Sequence, residues 1–169
     1  ATIVSESRKC RDIFSILAGH CIYIPSMSSF IHLRRVEFHE TDAAGLVHFS
    51  NYFRYAESAE HALYREIGYP MMKPVNGTFH GWPRVRAQCK YSAPLDSGDE
   101  IRVELAIAEI KDKAIDYRFR IIRVDGELLA AKGSFSTMHV KIDRYTREMT
   151  SLEIPESLKQ GLAPYVSPP

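Results

Sequence analysis

One stretch, running from Val36 through Glu57, constrains this chain more than any other: an extended entry, a short turn holding Asp42 and Gly45, and the start of a long helix at about Ser50 or Asn51. From there to Gly68, Tyr52, Tyr55, Ala56, Ala59, Leu63 and Ile67 recur at three- and four-residue steps and form one apolar stripe. Arg54, Glu57, Ser58, Glu60, Arg65 and Glu66 lie mostly off it. Gly68 followed by Pro70 stops the helix. The Asp42 carboxylate thus falls just ahead of a helix start, beside unpaired backbone N–H groups and the positive end of a helix dipole. That is a place where chemistry on a carbonyl can be done.

The rest of the chain supplies a sheet for the helix to lie on. Phe30 to His39, with Ile31, Leu33, Val36 and Phe38, suits a strand leading into the Asp42 turn. After the helix, Met71 to Pro83 contains Pro74, Gly77, Gly81 and Pro83, has no period, and reads as a covering loop. Four extended segments follow. Val85, Ala87, Cys89 and Tyr91 alternate with polar residues, as do Ile101, Val103, Leu105 and Ile107, and then Ile115, Tyr117, Phe119 and Ile121; the last segment runs from Leu128 to Val140. Their connections, Pro94 to Asp99, Lys111 to Lys113 and Asp125-Gly126, are turn-like, which predicts an antiparallel four-strand meander. The fold class is therefore α+β, one long helix packed across an antiparallel sheet.

Residues 1–30 have no sustained period and read as an N-terminal appendage, with a short helix expected at Asp12 to Ala18. The domain proper spans 31–145, and 146–169 forms a polar, proline-containing C-terminal tail with room for a short helix at Pro155 to Leu162. Twenty-two basic residues nearly cancel 21 acidic ones, so no global field calls for nucleic acid or an anionic membrane as partner. No apolar run reaches the ~20 residues of a membrane span. The three cysteines, Cys10, Cys21 and Cys89, are far apart and lack the close Cys/His pairing of a zinc site. They read as free thiols of a reducing, cytoplasmic compartment, and neither a metal nor a cofactor is expected.

The stretch Glu37-Phe-His-Glu-Thr-Asp-Ala-Ala-Gly-Leu-Val-His-Phe-Ser-Asn-Tyr-Phe-Arg-Tyr, followed by Glu57, resembles the signature of the 4-hydroxybenzoyl-CoA thioesterase family. Tyr91-Ser-Ala-Pro94 and Gly98-Asp99 resemble later parts of the same pattern, so the likeness covers roughly Leu33 to His139. It departs at Glu40, where many relatives carry an aspartate, and at Phe49, where one branch has a histidine. The resemblance implies a hotdog fold, a curved antiparallel sheet wrapped around the central helix. It also implies that subunits pair their sheets into a homodimer or homotetramer and hydrolyse an acyl-CoA thioester to free acid and CoA.

Asp42 falls on the family's catalytic aspartate, acting as nucleophile or general base, and Phe49 falls on the position whose backbone N–H polarises the carbonyl. A thioester oxygen gains negative charge under attack, and losing one pre-oriented donor to such an oxygen costs about 3–4 kcal/mol in other enzymes. In another hotdog thioesterase branch a glutamate of the central helix supplies the carboxylate, which makes Glu57 and Glu60 candidates; Glu57 also matches an acidic position of the family and is the second catalytic candidate, while Glu60 reads rather as a solvent-facing helix former. Gly45 makes the turn. Val47, His48 and Asn51 are candidates for the substrate-binding wall, with Asn51 also fitting a helix cap. Arg84 and Lys90, with Arg86, Lys111 and Lys113, are candidates for the CoA phosphates. Phe79, His80 and Trp82 either line an acyl pocket or pack the loop. Two other readings share the fold: a non-catalytic acyl-thioester binding or assembly protein, and a hydratase or dehydratase using His48.

Overall fold

The computed structural model describes residues 28–69, 71, 74–75, 78–143 and 145–167. Cys10, Cys21 and the helix expected at Asp12 to Ala18 lie outside these residues. The elements in chain order are β1 (Phe30–Arg35), α1 (Asn51–Glu66), β2 (Pro74–Val75), β3 (Thr78–Gly81), β4 (Arg84–Tyr91), β5 (Glu100–Ile110), β6 (Ala114–Arg123), β7 (Leu128–Met138), β8 (Val140–Ile142), β9 (Met149–Ser151) and α2 (Glu156–Leu162). The larger sheet runs β1-β5-β6-β7-β4, antiparallel at every step. The long helix α1 lies on it. Tyr55, Ala59, Leu63 and Tyr64 are sealed from solvent in one core with Val103, Leu105, Tyr117 and Phe119. This is the α+β arrangement expected from the sequence.

The helix stops through its own backbone. Gly68 takes φ +68°, its N–H donates to the Arg65 carbonyl (3.1 Å), and the Tyr69 N–H donates to the Tyr64 carbonyl (2.9 Å). That pair of bonds is a Schellman ending, and the Tyr69 ring closes it edge-on against Tyr64 at 6.0 Å.

Three expectations are corrected. The first strand ends at Arg35 instead of reaching His39, and Phe38–Glu40 form a 3-10 turn in which the Glu40 carboxylate reaches back to the Glu37 N–H (2.8 Å). The meander has three strands, β5-β6-β7, and not four: β4 pairs with β7 on the far edge. Pro94 to Asp99 belongs to a crossing that carries the chain from the β4 edge across the sheet to β5, which lies between β1 and β6. Leu95 is fully buried along the way, with its carbonyl accepting the Val47 N–H at 2.8 Å. Thirdly, the Met71 to Pro83 region contains β2 and β3, which join β8 and β9 in a second sheet of order β2-β3-β8-β9.

The run expected from Leu128 to Val140 breaks at His139, where the chain leaves one sheet for the other. The buried His139 ring donates through Nδ1 to the Glu153 carbonyl (2.8 Å), so its Nε2 accepts from His80 Nδ1 at 3.2 Å. Burial, reinforced by His80, holds the His139 pKa below the ordinary histidine value. Trp82 stacks on His139 at 4.6 Å and meets Tyr64 edge-on. Trp82 and His80 therefore pack the segment down. Beyond residue 146, Leu158 and Leu162 of α2 are fully buried in the same core, and Val166 bridges to Ile107 of β5. No helix among the described residues is long and apolar enough to cross a membrane.

Candidate active site

The residues between β1 and α1 fold into a turn that spends half of one carboxylate on its own backbone. Asp42 Oδ1 accepts the Ala44 N–H at 2.8 Å and the Leu46 N–H at 3.4 Å, while the Asp42 N–H donates to the Leu46 carbonyl at 2.8 Å. Gly45 sits at φ +80° with open space around its Cα, so glycine is there for its backbone freedom and not for room. Asp42 Oδ2 has no partner among the described residues.

After the turn, Val47 is buried, and the His48 N–H donates to the Glu40 carbonyl at 2.9 Å. Phe49 and Ser50 then lead into α1. The Phe49 N–H has no acceptor among the described residues and lies at the amino end of the helix, where dipole and orphan donors both favour negative charge. The Phe49 side chain is 62% exposed. The ring of His48 lies 4.4 Å from it and is tied through Nδ1 to the Ser50 hydroxyl at 2.8 Å.

A cavity of about 430 Å³ opens here. Asp42, Val47, His48, Phe49 and Tyr52 form one wall, and Tyr91 to Pro94, arriving from the end of β4, form the other. Tyr91 holds the walls together: its hydroxyl donates to the Phe49 carbonyl at 3.2 Å and its ring meets Tyr52 edge-on at 5.0 Å. Burial pushes the Tyr52 phenol up to about 12, so it stays neutral at physiological pH.

The remaining candidates divide. Asn51 is buried and its amide donates to the Glu40 carbonyl at 2.6 Å; Ser50 occupies the cap position. Asn51 thus anchors the helix start to the preceding turn. Glu57 lies one and a half turns further along α1 and is paired with Arg84 at 3.4 Å, away from the cavity wall. Arg84 also lies over the Phe135 ring at 4.2 Å and 2.7 Å from Glu60. Its charge is engaged inside the subunit, which leaves little of it for a phosphate. Lys90 is exposed on the side of β4 opposite Tyr91.

Two carboxylates escaped the sequence reading. Glu60, which reads as solvent-facing, is fully buried. Its contact with Arg84 is ionic and lacks hydrogen-bond geometry, and burial raises its pKa against the opposing pull of Arg84. Glu40 is the hub of the loop. Its side chain takes Arg34 at 2.6 Å, the Glu37 N–H at 2.8 Å and the Tyr55 hydroxyl at 3.0 Å, and its carbonyl takes both His48 and Asn51. Arg34 in turn stacks over Tyr55 at 4.2 Å. Removing one partner of a largely buried pair costs about 3–5 kcal/mol. Glu40→Ala is therefore expected to lose about 3 kcal/mol in urea unfolding and to lower turnover, because the Asp42 turn and the helix start lose their common tie; unchanged stability would show that the hub is dispensable.

Residues 36–162 match the thioesterase-like superfamily, and the chain belongs to that family. A 1,4-dihydroxy-2-naphthoyl-CoA hydrolase of Prochlorococcus marinus is 32% identical over 126 residues, covering 70% of this chain and 79% of that protein. The solved gentisyl-coenzyme A thioesterase superimposes with a TM-score of 0.64 at 26% identity, over 76% of this chain and 98% of its own. A 1,4-dihydroxy-2-naphthoyl-CoA thioesterase from Synechocystis gives a TM-score of 0.69 at 21% identity, over 80% and 96% of the two chains, which speaks for the fold. The fold is the hotdog, and by class the chain is a thioester hydrolase.

Proposed function

We propose that this thioester hydrolase cleaves an aromatic acyl-CoA, of the 1,4-dihydroxy-2-naphthoyl class, with Asp42 as the reacting carboxylate. The observation that carries this is the pairing, in one ring-walled cavity, of a carboxylate with a free Oδ2 and a helix-start N–H at Phe49 with no acceptor. The Phe49 N–H holds the thioester oxygen as it gains charge. Asp42 Oδ2 then attacks the carbonyl carbon, expelling the CoA thiolate and leaving an anhydride for water to open, or it takes the proton of an attacking water. After a single turnover in ¹⁸O-water, label in Asp42 identifies the anhydride route, with water having opened the anhydride at the Asp42 carbonyl.

The rings of Phe49, Tyr52, Tyr91 and His48 suit a flat aromatic acyl group, and the name carried by the Prochlorococcus relative agrees. Thiol release from a panel of acyl-CoAs is expected to give the aromatic thioesters at least a ~10-fold higher kcat/KM than straight chains of similar size. Preference for the straight chains would overturn the aromatic assignment and leave the hydrolase intact.

The working unit in this reading is a homodimer joined along β4. Among the described residues that strand is an unpaired edge, and none of them covers Val85 (56% exposed) and Tyr91 (43%) on its inner face. A second copy would cover both beside the cavity, and Glu57, close to this strip through Arg84, would then face the partner.

A further inference from the structure

The outer face of the large sheet carries a concentration of positive charge that the chain's near-neutral balance does not announce. In the register of β4, β7 and β6, Lys90 stands opposite Lys132 and Lys132 opposite Arg120; in the next row Gln88 stands opposite Ser134 and Ser134 opposite Arg118. Directly opposed residues share one face, and like charges placed so are destabilising. Several outward charges elsewhere on this sheet are matched. Lys111 meets Asp116 at 2.7 Å, and Arg102 meets Glu104 at 3.1 Å and Glu127 at 2.7 Å. Arg120 is held by Glu104 at 3.1 Å. Lys90, Arg118 and Lys132 are exposed and have no acidic partner among the described residues.

These side chains ring a depression of about 580 Å³ that Cys89, Phe119 and Gly133 also line. Gln88 donates its amide to the Ser134 oxygen at 3.0 Å, so the Ser134 hydroxyl proton is left to donate outward. The result is a set of donors and no carboxylate facing them. A guanidinium fork and two ammonium points are what phosphate oxygens bind, and the volume is that of a small-molecule site.

We propose that this depression, ringed by Lys90, Arg118, Lys132 and the Ser134 hydroxyl, binds a phosphorylated nucleotide. The nucleotide has two sources of the same chemistry. One is the nucleotide end of the substrate's own CoA, because Lys90 and Tyr91 are consecutive and Tyr91 lines the reaction cavity on the opposite face of the strand. The other is a free adenine nucleotide acting from outside. The first rests on the acyl-CoA reading and the second does not.

The test uses the full chain and the double variant Arg118→Ser/Lys132→Ser, with matched thermal unfolding as the folding control. Titration calorimetry with adenosine 3′,5′-bisphosphate and with ATP is expected to show binding to the wild type that weakens with added salt and is lost by roughly tenfold or more in the variant. Kinetics on one acyl group carried by CoA and by N-acetylcysteamine then identify the source. If CoA supplies the nucleotide, KM for the CoA thioester rises roughly tenfold in the variant, while kcat and the truncated thioester are unaffected. If a free nucleotide is the ligand, binding is lost and both sets of kinetic constants stay put. Equal nucleotide binding by both proteins, or none by the wild type, overturns the proposal. Hydrolysis of the truncated thioester by the wild type shows independently whether the thioesterase reading holds.

Discussion

Asp42→Asn folds as the wild type does and loses at least ~100-fold in kcat for acyl-CoA hydrolysis, the scale of a positioned acid or base. The expectation rests on how the carboxylate divides its two oxygens. Oδ1 serves the turn through the Ala44 and Leu46 N–H groups, and an asparagine oxygen accepts the same two bonds. What the substitution removes is charge and basicity at Oδ2, which has no protein partner among the described residues. Stability and turnover therefore come apart in this variant, whereas Asp42→Ala loses the turn bonds too, at a further cost of about 1 kcal/mol. KM is expected to hold, because asparagine keeps the size of Asp42 in the cavity wall and the other lining residues are unchanged. Initial rates of thiol release beside urea unfolding of both variants check this. Turnover by Asp42→Asn within tenfold of the wild type would remove Asp42 from the chemistry and return attention to Glu57 and His48.

What the sequence made legible is what repeats locally. The stripe on α1 and the alternation along β5 and β6 have periods long enough to read, and Gly68 and Gly45 stand where positive φ is needed. The four strands of the second sheet span only two to four residues, too short for any period to emerge. The position of β4 was hidden for a different reason. Pro94, Ser97 and Gly98 mark a change of direction, but whether the next strand lies alongside or across the sheet is decided by Leu95 entering the core next to Val47, a contact between segments some fifty residues apart. The same long-range logic hid Glu40 and Glu60. Glu60 at helical spacing reads as a solvent face, and Glu40 as one residue of a turn, until Arg84, Arg34 and the tyrosines are brought to them by the fold. In the site, the local half, Asp42 to Phe49, was legible; the far wall came only as part of a resemblance, because no property of Tyr91 or Pro94 says what they stand against.

Gly133→Ala is expected to be among the most damaging single substitutions in the chain, costing about 3 kcal/mol or more, at the upper end of overpacking effects. Gly133 lies inside β7, where glycine ordinarily weakens a strand, and its φ is unremarkable, so its reason is not conformational freedom. It is close approach: a β-carbon there would overlap the Gln88 carbonyl oxygen of β4 and come within 2.5 Å of the Phe119 ring. Phe119 is buried against Phe53 and Phe135 and cannot swing away, and the carbonyl is backbone. The strain must move the edge strand. Because β4 carries Tyr91 at its end, displacement of the strand also opens the cavity, so kcat/KM should fall together with the urea midpoint. Phe119→Leu in the same chain relieves the ring overlap and leaves the carbonyl overlap, so the double variant should recover part of the stability lost by Gly133→Ala and not all of it. Full recovery would locate the strain in the core alone, and a Gly133→Ala protein as stable as the wild type would mean that β4 is free to stand further from β7 than its register implies.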